Sequence, residues 1–394
     1  MNRLTALTAA ALLAAACADR GIVDVSPQQT DQPNANLVAA PWNPGLTVMT
    51  WNVYYGTDPT PLLLAPPAEV PFVAAEVWAL VKQTNFPQRA GALAREIAAN
   101  RPELVGLQEA ALYRIQSPGD IVLGGTTLAT QVVYDFLQLL VDSLAARGLD
   151  YVIADQDATT DIEVPVYNPD NGTPIPFDDI RLTDRDAVLA RADVYTANPL
   201  HAKYVAHVPV SLGGVVTGVY EGWSSVEATV HGRTYRFVST HLEAQPYMPI
   251  PVLQAQELID LLQNETRPTI LVGDFNSDVS GIDPANATPS YGMITDAGFQ
   301  DIWLRPFGNP PGLTCCQSDD LSNRLPSYDQ RIDFIFTRNM PNVAPAGMLV
   351  LARKVVGDQR GARTRSGLWP SDHGGVVATF LVPPVGPRPT GVAE

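Results

Sequence analysis

Histidine and cysteine are scarce in this chain: its 394 residues include five of the first and three of the second. No cysteine or histidine pairs recur at ligand spacing, which excludes a structural zinc site from the expectation. Basic residues are also short, 25 Lys and Arg against 41 Asp and Glu, for a formal net charge of -16. That balance repels polyanions and argues against broad, sequence-independent binding of duplex nucleic acid unless a local basic patch offsets it. The stretch Arg353 to Arg365, with Lys354, Arg360 and Arg363, is the best such patch, and its plainer reading is a solvated loop. There is no internal repeat, and beyond the first residues no apolar run is long enough to cross a membrane. What is present is a hydrophobic content of 46%, enough to bury the core of one large domain.

Arg3 is followed by the alanine-rich apolar run Leu4 to Ala16, too short for a spanning helix, so residues 1–17 read as a targeting segment and export is expected. The ending Leu12-Leu13-Ala14-Ala15-Ala16-Cys17 resembles a bacterial lipoprotein signal, in which Cys17 would carry lipid and hold the protein on the cell envelope. The alternative is a secretory signal cleaved at a small residue nearby. Cys315 and Cys316 then remain as an adjacent pair in a compartment that tolerates disulfides, either a loop staple or two free thiols. Residues 18–44, rich in Pro, Asn, Gln and Asp, read as a flexible tether, and residues 385–394 as a flexible tail. Residues 45–384 are expected to form a single domain, working as a monomer.

Within that domain short apolar runs alternate with helical patterns. Strands are predicted at Leu46 to Val53, Leu104 to Gln108, Val188 to Ala190, Val215 to Val230 and Tyr235 to Thr240. Further strands are predicted at Thr269 to Val272, Ile332 to Phe336, Met348 to Lys354 and Gly375 to Val382. Helices are predicted at Pro87 to Asn100, Leu128 to Arg147 and Val252 to Asn264, the first with Ala90, Leu93, Ala94 and Ile97 on one face. Many strands with few, spaced helices imply an α/β fold of two packed sheets with helices outside them.

The informative polar residues fall at the ends of these strands, where two packed sheets can bring them to one cleft. Asn52 ends the first strand, a place where asparagine is commonly a turn former. Glu109 follows a buried strand, where an unpaired charge is costly; a salt bridge or a hard cation such as Mg²⁺ would each satisfy it. His241 ends another strand and, taken alone, reads as a structural histidine. Asp274 and Asn276 stand two residues apart beyond a buried strand, with Gly273 permitting a tight turn. Such a pair can take a proton from water while donating an amide hydrogen bond to a phosphoryl oxygen. Asp333 sits in an apolar strand and needs a partner. Ser371-Asp372-His373 offers one, since a buried acid on one imidazole nitrogen fixes the tautomer and orientation of a proton carrier.

In chain order, Asn52, Glu109, His241, Asp274 with Asn276, Asp333, and Asp372 with His373 resemble the motif series of the endonuclease/exonuclease/phosphatase superfamily, over about Leu46 to Val382. That superfamily includes pancreatic deoxyribonuclease and bacterial neutral sphingomyelinases. The resemblance implies a four-layer α/β/β/α sandwich with two mainly antiparallel sheets, and in-line attack of water on a phosphoester. It implies that Asn52, Glu109 and Asp372 hold Mg²⁺, or Mn²⁺ or Ca²⁺, while Asp274 orients and deprotonates water and Asn276 contacts phosphate. It further implies that His241 contacts a phosphoryl oxygen or the leaving group, and that His373, oriented by Asp333, is general base or phosphate stabiliser. The segments Asp178 to Asp186 and Thr314 to Gln317 resemble those of exported bacterial members, where Arg185 or Arg191 would contact phosphate or form a salt bridge. Long insertions begin at Thr57 and at Asp155, and Leu62 to Leu64 would either touch acyl chains or pack on the core. A phospholipid head group or small organic phosphodiester is expected as substrate. An extracellular nuclease and a catalytically silent binding module are the alternatives.

Overall fold

The computed structural model describes residues 45–212, 215–282, 284–304, 311–341 and 350–382. The expected signal segment with Cys17, the tether and the tail at 385–394 lie outside the described residues. Among the described residues the first strands are β1 (Gly45–Asn52), β2 (Leu104–Gln108), β3 (Leu112–Gln116), β4 (Gln131–Asp135), β5 (Tyr151–Tyr167), β6 (Phe177–Arg191), β7 (Tyr195–Lys203) and β8 (Val208–Leu212). They continue as β9 (Val215–Val219), β10 (Gly222–Val230), β11 (Arg233–His241), β12 (Thr269–Asp274), β13 (Gln300–Asp301), β14 (Asp333–Arg338), β15 (Val350–Val356) and β16 (Gly375–Leu381). Six α-helices accompany them: α1 (Thr60–Leu63), α2 (Val70–Gln83), α3 (Phe86–Asn100), α4 (Phe136–Ala145), α5 (Ile250–Leu262) and α6 (Ser290–Asp296).

The first large sheet runs β15-β16-β1-β2-β6-β3-β4, with β5 paired to β6; the second runs β13-β14-β12-β11-β10-β7. Only β1 with β2 and β11 with β12 pair in parallel, and the other described pairs are antiparallel. Alternation along the strands sorts the core into layers. Leu46 and Val48 of β1, Leu104 of β2, Tyr235 and Phe237 of β11, and Ile270 and Val272 of β12 meet between the sheets. On the other face of the first sheet, Met49, Trp51, Val105 and Leu107 pack on α2, α3 and α4. On the other face of the second, Val238, Leu271, Phe334 and Phe336 pack on α5 and α6. The result is the four-layer α/β/β/α sandwich. Among the described residues no helix is long and apolar enough to cross a membrane.

Several elements differ from expectation. The helix expected from Leu128 begins only at Phe136, because the branched residues Val132 and Val133 hold β4 in the sheet and Asp135 caps the helix, accepting from Gln138 N at 3.2 Å. The stretch expected from Val215 to Val230 divides into β9 and β10. The supposed loop from Asp155 to Phe177 is largely strand, and β5 and β6 form a long hairpin arm with a register running to Tyr167 opposite Phe177. The insertion after Thr57 forms α1 and leads into α2. Met348 and Leu349 of the expected strand lie outside the described residues, and β15 continues to Val356. Gly273 lies inside β12 rather than in a turn: with φ at 154°, a Cβ there would sit 1.9 Å from Thr240 O.

One helical side chain ties the layers together at the site end. Arg89 of α3 is fully buried and donates Nη1 to Val53 O (2.7 Å) and Pro370 O (3.0 Å), Nη2 to Tyr54 O (3.0 Å), and Nε to Thr84 O (3.0 Å). Burial lowers its pKa to about 10, so it keeps its charge at neutral pH. Arg89→Met is expected to leave these carbonyls unsatisfied at about 1–3 kcal/mol each, and so to remove more than about 3 kcal/mol of stability in a denaturant melt. An unchanged midpoint would show that the clamp carries no stability.

Candidate active site

Inward-facing positions are apolar along most of each strand and turn polar at one end. On β1 the series Leu46, Val48 continues to Thr50 and Asn52; on β11, Tyr235 and Phe237 continue to Ser239 and His241; on β12, Ile270 and Val272 continue to Asp274. On β2 the step is Gly106 then Gln108, whose Nε2 donates to Ser239 Oγ across the sheets at 2.9 Å. Gly106 permits this approach, since a Cβ there would lie 2.5 Å from Val272 Cγ2. The polar ends converge on one cleft.

Asp274 is its centre. Asn52 Nδ2 donates to Asp274 Oδ2 at 3.1 Å and to Glu109 Oε1 at 2.7 Å, while its own oxygen accepts from Tyr54 N at 3.0 Å. Glu109 Oε2 accepts from Tyr55 N at 2.8 Å. His241 Nε2 and His373 Nε2 lie 3.6 Å and 3.7 Å from Asp274 Oδ2. Each imidazole has an acid behind it: Asp333 Oδ2 is 2.9 Å from His373 Nδ1, and Glu221 Oε2 is 3.1 Å from His241 Nδ1. Asn276 donates Nδ2 to Leu242 O at 2.8 Å, and the same nitrogen is 3.1 Å from His241 Nε2. The loop Ser371 to His373 is stitched in place by Ser371 Oγ donating to Asn52 O (2.7 Å) and Trp51 Nε1 donating to His373 O (2.9 Å). Tyr54, Glu109 and Asn276 adopt φ of 64°, 57° and 46°, a left-handed conformation that is costly for the first two and is kept where the surroundings over-determine it.

The charges are strongly coupled to burial. Burial, then the charge of Asp372, raises Glu109 to about 8, against the pull of His241 and the Asn52 amide. Burial likewise raises Asp372, and raises Asp333 to about 6. For His373 burial acts downward, but Asp333, Asp372 and Asp274 together hold it well above the usual imidazole range. His241 is raised in the same way against burial, by Glu221 first and then Asp274 and Glu109. Two acids whose charges oppose each other, Glu109 and Asp372, suit a hard divalent cation with oxygen ligands. Asp274, Asp333 and His373 also bring ligand atoms within 4.8 Å of one another. Cys315, Cys316 and His373 converge as closely, but the two sulfurs pair with each other.

All eight residues singled out from the sequence stand in this cleft. Glu221, at the turn before β10, and the buried acids Asp184 and Asp186 of β6 were missed. Their signal was present in β6, where Asp184 and Asp186 occupy the same inward face as Val188 and Ala190. Arg185 and Arg191 do not reach the cleft: Arg185 pairs with Asp135 at 2.6 Å, and Arg191 with Glu103 at 2.9 Å.

A structure described as an endonuclease/exonuclease/phosphatase family protein from Leptotrichia buccalis superposes with a TM-score of 0.50 at 16% identity, covering 85% of this chain and 99% of that one. A family protein from Bacteroides thetaiotaomicron gives a TM-score of 0.49 at 16% identity, covering 85% and 97%. A mannosyl-6-phosphatase from the same organism gives 0.46 at 17% identity, covering 85% and 99%. No curated protein matches the chain. Enzymes of this family are hydrolases of phosphoesters and generally use divalent metal ions. Residues 49–373 match the Endonuclease/Exonuclease/phosphatase family, and the chain belongs to it.

Proposed function

We propose that this chain is a metal-dependent phosphodiesterase that hydrolyses a phospholipid head group or a small organic phosphodiester by in-line attack of water. The observation that carries the reading is the Asp274 carboxylate standing between two imidazoles, each backed by its own buried acid. Asp274 is set to orient water and take its proton. His373, kept protonated by Asp333 and its other acidic neighbours, donates to a phosphoryl oxygen rather than acting as the base. His241, with Glu221 behind it, and Asn276 face the same oxygens or the leaving group. Glu109 and Asp372 are the residues that would hold the cation, with the Asn52 amide bracing Glu109. When bound, Mg²⁺, Mn²⁺ or Ca²⁺ supplies positive charge to a phosphoryl oxygen in the transition state.

Residues 1–17 support action at the bacterial cell envelope, on a lipid anchor at Cys17 or after secretion. The protein is taken as a monomer.

With an aryl phosphodiester and Mg²⁺, His373→Ala is expected to lower kcat by at least about a hundredfold. Wild-type hydrolysis no faster than the variant's would leave the silent binding module as the better reading. Asp333→Asn removes a negative partner, so His373 loses its proton at lower pH. The alkaline limb of the pH–rate profile is therefore expected to move to lower pH, and a profile that keeps its alkaline limb would contradict the donor role given to His373.

A further inference from the structure

The cleft does not end at the polar residues. It opens into a cavity of about 410 Å³, a volume typical of small-molecule sites, whose remaining lining is mainly apolar. Helix α2, the β5–β6 arm of the first sheet and the β8–β9 hairpin build much of those walls. Helix α2 contributes Ala74, Val77, Trp78 and Val81, which at that spacing form one face of the helix. The β5–β6 arm contributes Ile162 and Leu182 among others, and the β8–β9 hairpin closes the cavity with Val208 and Leu212. From Asp184 at the catalytic end to Ile180, the lining part of β6 extends about 13 Å at 3.2–3.4 Å per residue. Leu62 and Leu63 of α1 line the same space while also packing against the core.

Charge restricts what the cavity accepts. Among the described residues seven carboxylates line it and no lysine or arginine does. Burial and the charge of Glu221 raise Asp184 to about 6, and burial with the same charge raises Glu243 to about 7. A chain of phosphates would meet carboxylates and apolar walls there but no cationic side chain among the described lining residues, at Coulombic and desolvation cost. An uncharged apolar substituent meets no such cost and displaces water from surfaces that gain nothing by holding it.

We infer that the substrate is an amphiphilic phosphodiester carrying an alkyl or acyl chain, and that this chain lies in the cavity between α2, the β5–β6 arm and the β8–β9 hairpin while the phosphoryl group sits at Asp274. This rests on the phosphodiesterase reading above and specifies its substrate class. Continuity is the reason for assigning the cavity to the substrate rather than to another partner: Glu109, His241, Asn276 and Asp372 share its lining with the apolar residues.

The test is a series of 4-nitrophenyl phosphodiesters whose second ester group is methyl, hexyl or dodecyl, assayed below their aggregation thresholds. Wild-type kcat/KM is expected to rise at least about tenfold from methyl to dodecyl, since each buried methylene adds binding energy. Leu182→Trp and Val77→Trp, which fill the cavity from the β5–β6 arm and from α2, are each expected to reduce the dodecyl-to-methyl ratio to near unity. The ratio is taken within one protein, so partial loss of folded enzyme does not alter it. Hydrolysis of all three esters at equal kcat/KM by the wild type would overturn the inference and leave the phosphodiesterase reading standing. Hydrolysis of duplex DNA in preference to the dodecyl ester would overturn it in favour of the nuclease. No hydrolysis of any ester would overturn the underlying reading and this inference with it.

Discussion

The buried guanidinium of Arg89 is the constraint on which the site depends. Its donors reach the carbonyls just after Asn52 and the carbonyl just before Ser371-Asp372-His373, two segments far apart in the chain. A charge placed in a protein interior without partners is costly, and here each donor finds a backbone acceptor. The clamp thereby fixes the Asn52 end of β1 against the loop carrying the second histidine. Ser371 Oγ and Trp51 Nε1 make the same connection from the other side. Close positioning is what a hydrolytic site needs, and here backbone contacts directly behind the cleft residues contribute to it.

Two sheets packed face to face then do the rest. Their facing positions are apolar for most of their length, which excludes water, and become polar at one end. Gly106 lets the sheets approach closely at the transition, and Gln108 with Ser239 bridges it. Beyond that bridge the acids outnumber the cations, so burial and mutual repulsion push protons onto Glu109 and Asp372 unless a cation relieves them. Asp333 behind His373 and Glu221 behind His241, with Asp274 between the two rings, hold both imidazoles well above their usual range against burial. On the proposed reading, a single arrangement would supply a place for a divalent ion, a base at Asp274, and two donors for phosphoryl oxygens.

Most of the candidate site residues were legible because the fold delivers them at the ends of short, apolar strands, and an acid or histidine at such an end breaks the period-two pattern visibly. Asp274 after Ile270-Leu271-Val272-Gly273 and Glu109 after Leu104-Val105-Gly106-Leu107 are of this kind. Arg89 was not legible, since its partners lie 36 and 281 residues away and an arginine in an amphipathic helix ordinarily points to solvent. Nor was Glu221, which sits in a turn with no pattern around it. The β5–β6 arm was hidden by its acids and prolines, which read locally as loop; pairing along its whole length with β6 overrides that local preference. The cavity wall from α2 was missed for the related reason that an insertion rich in proline at its start becomes helical only further on.

On the proposed reading Glu109 and Asp372 form a cation site serving Asp274. Thermal unfolding in increasing Mn²⁺, with and without the paired substitutions Glu109→Gln and Asp372→Asn, tests it without relying on any substrate. The account predicts that the wild-type Tm rises with Mn²⁺ concentration and that the doubly substituted protein, relieved of its opposed carboxylates, shows no such rise. An equal rise in both proteins would contradict it.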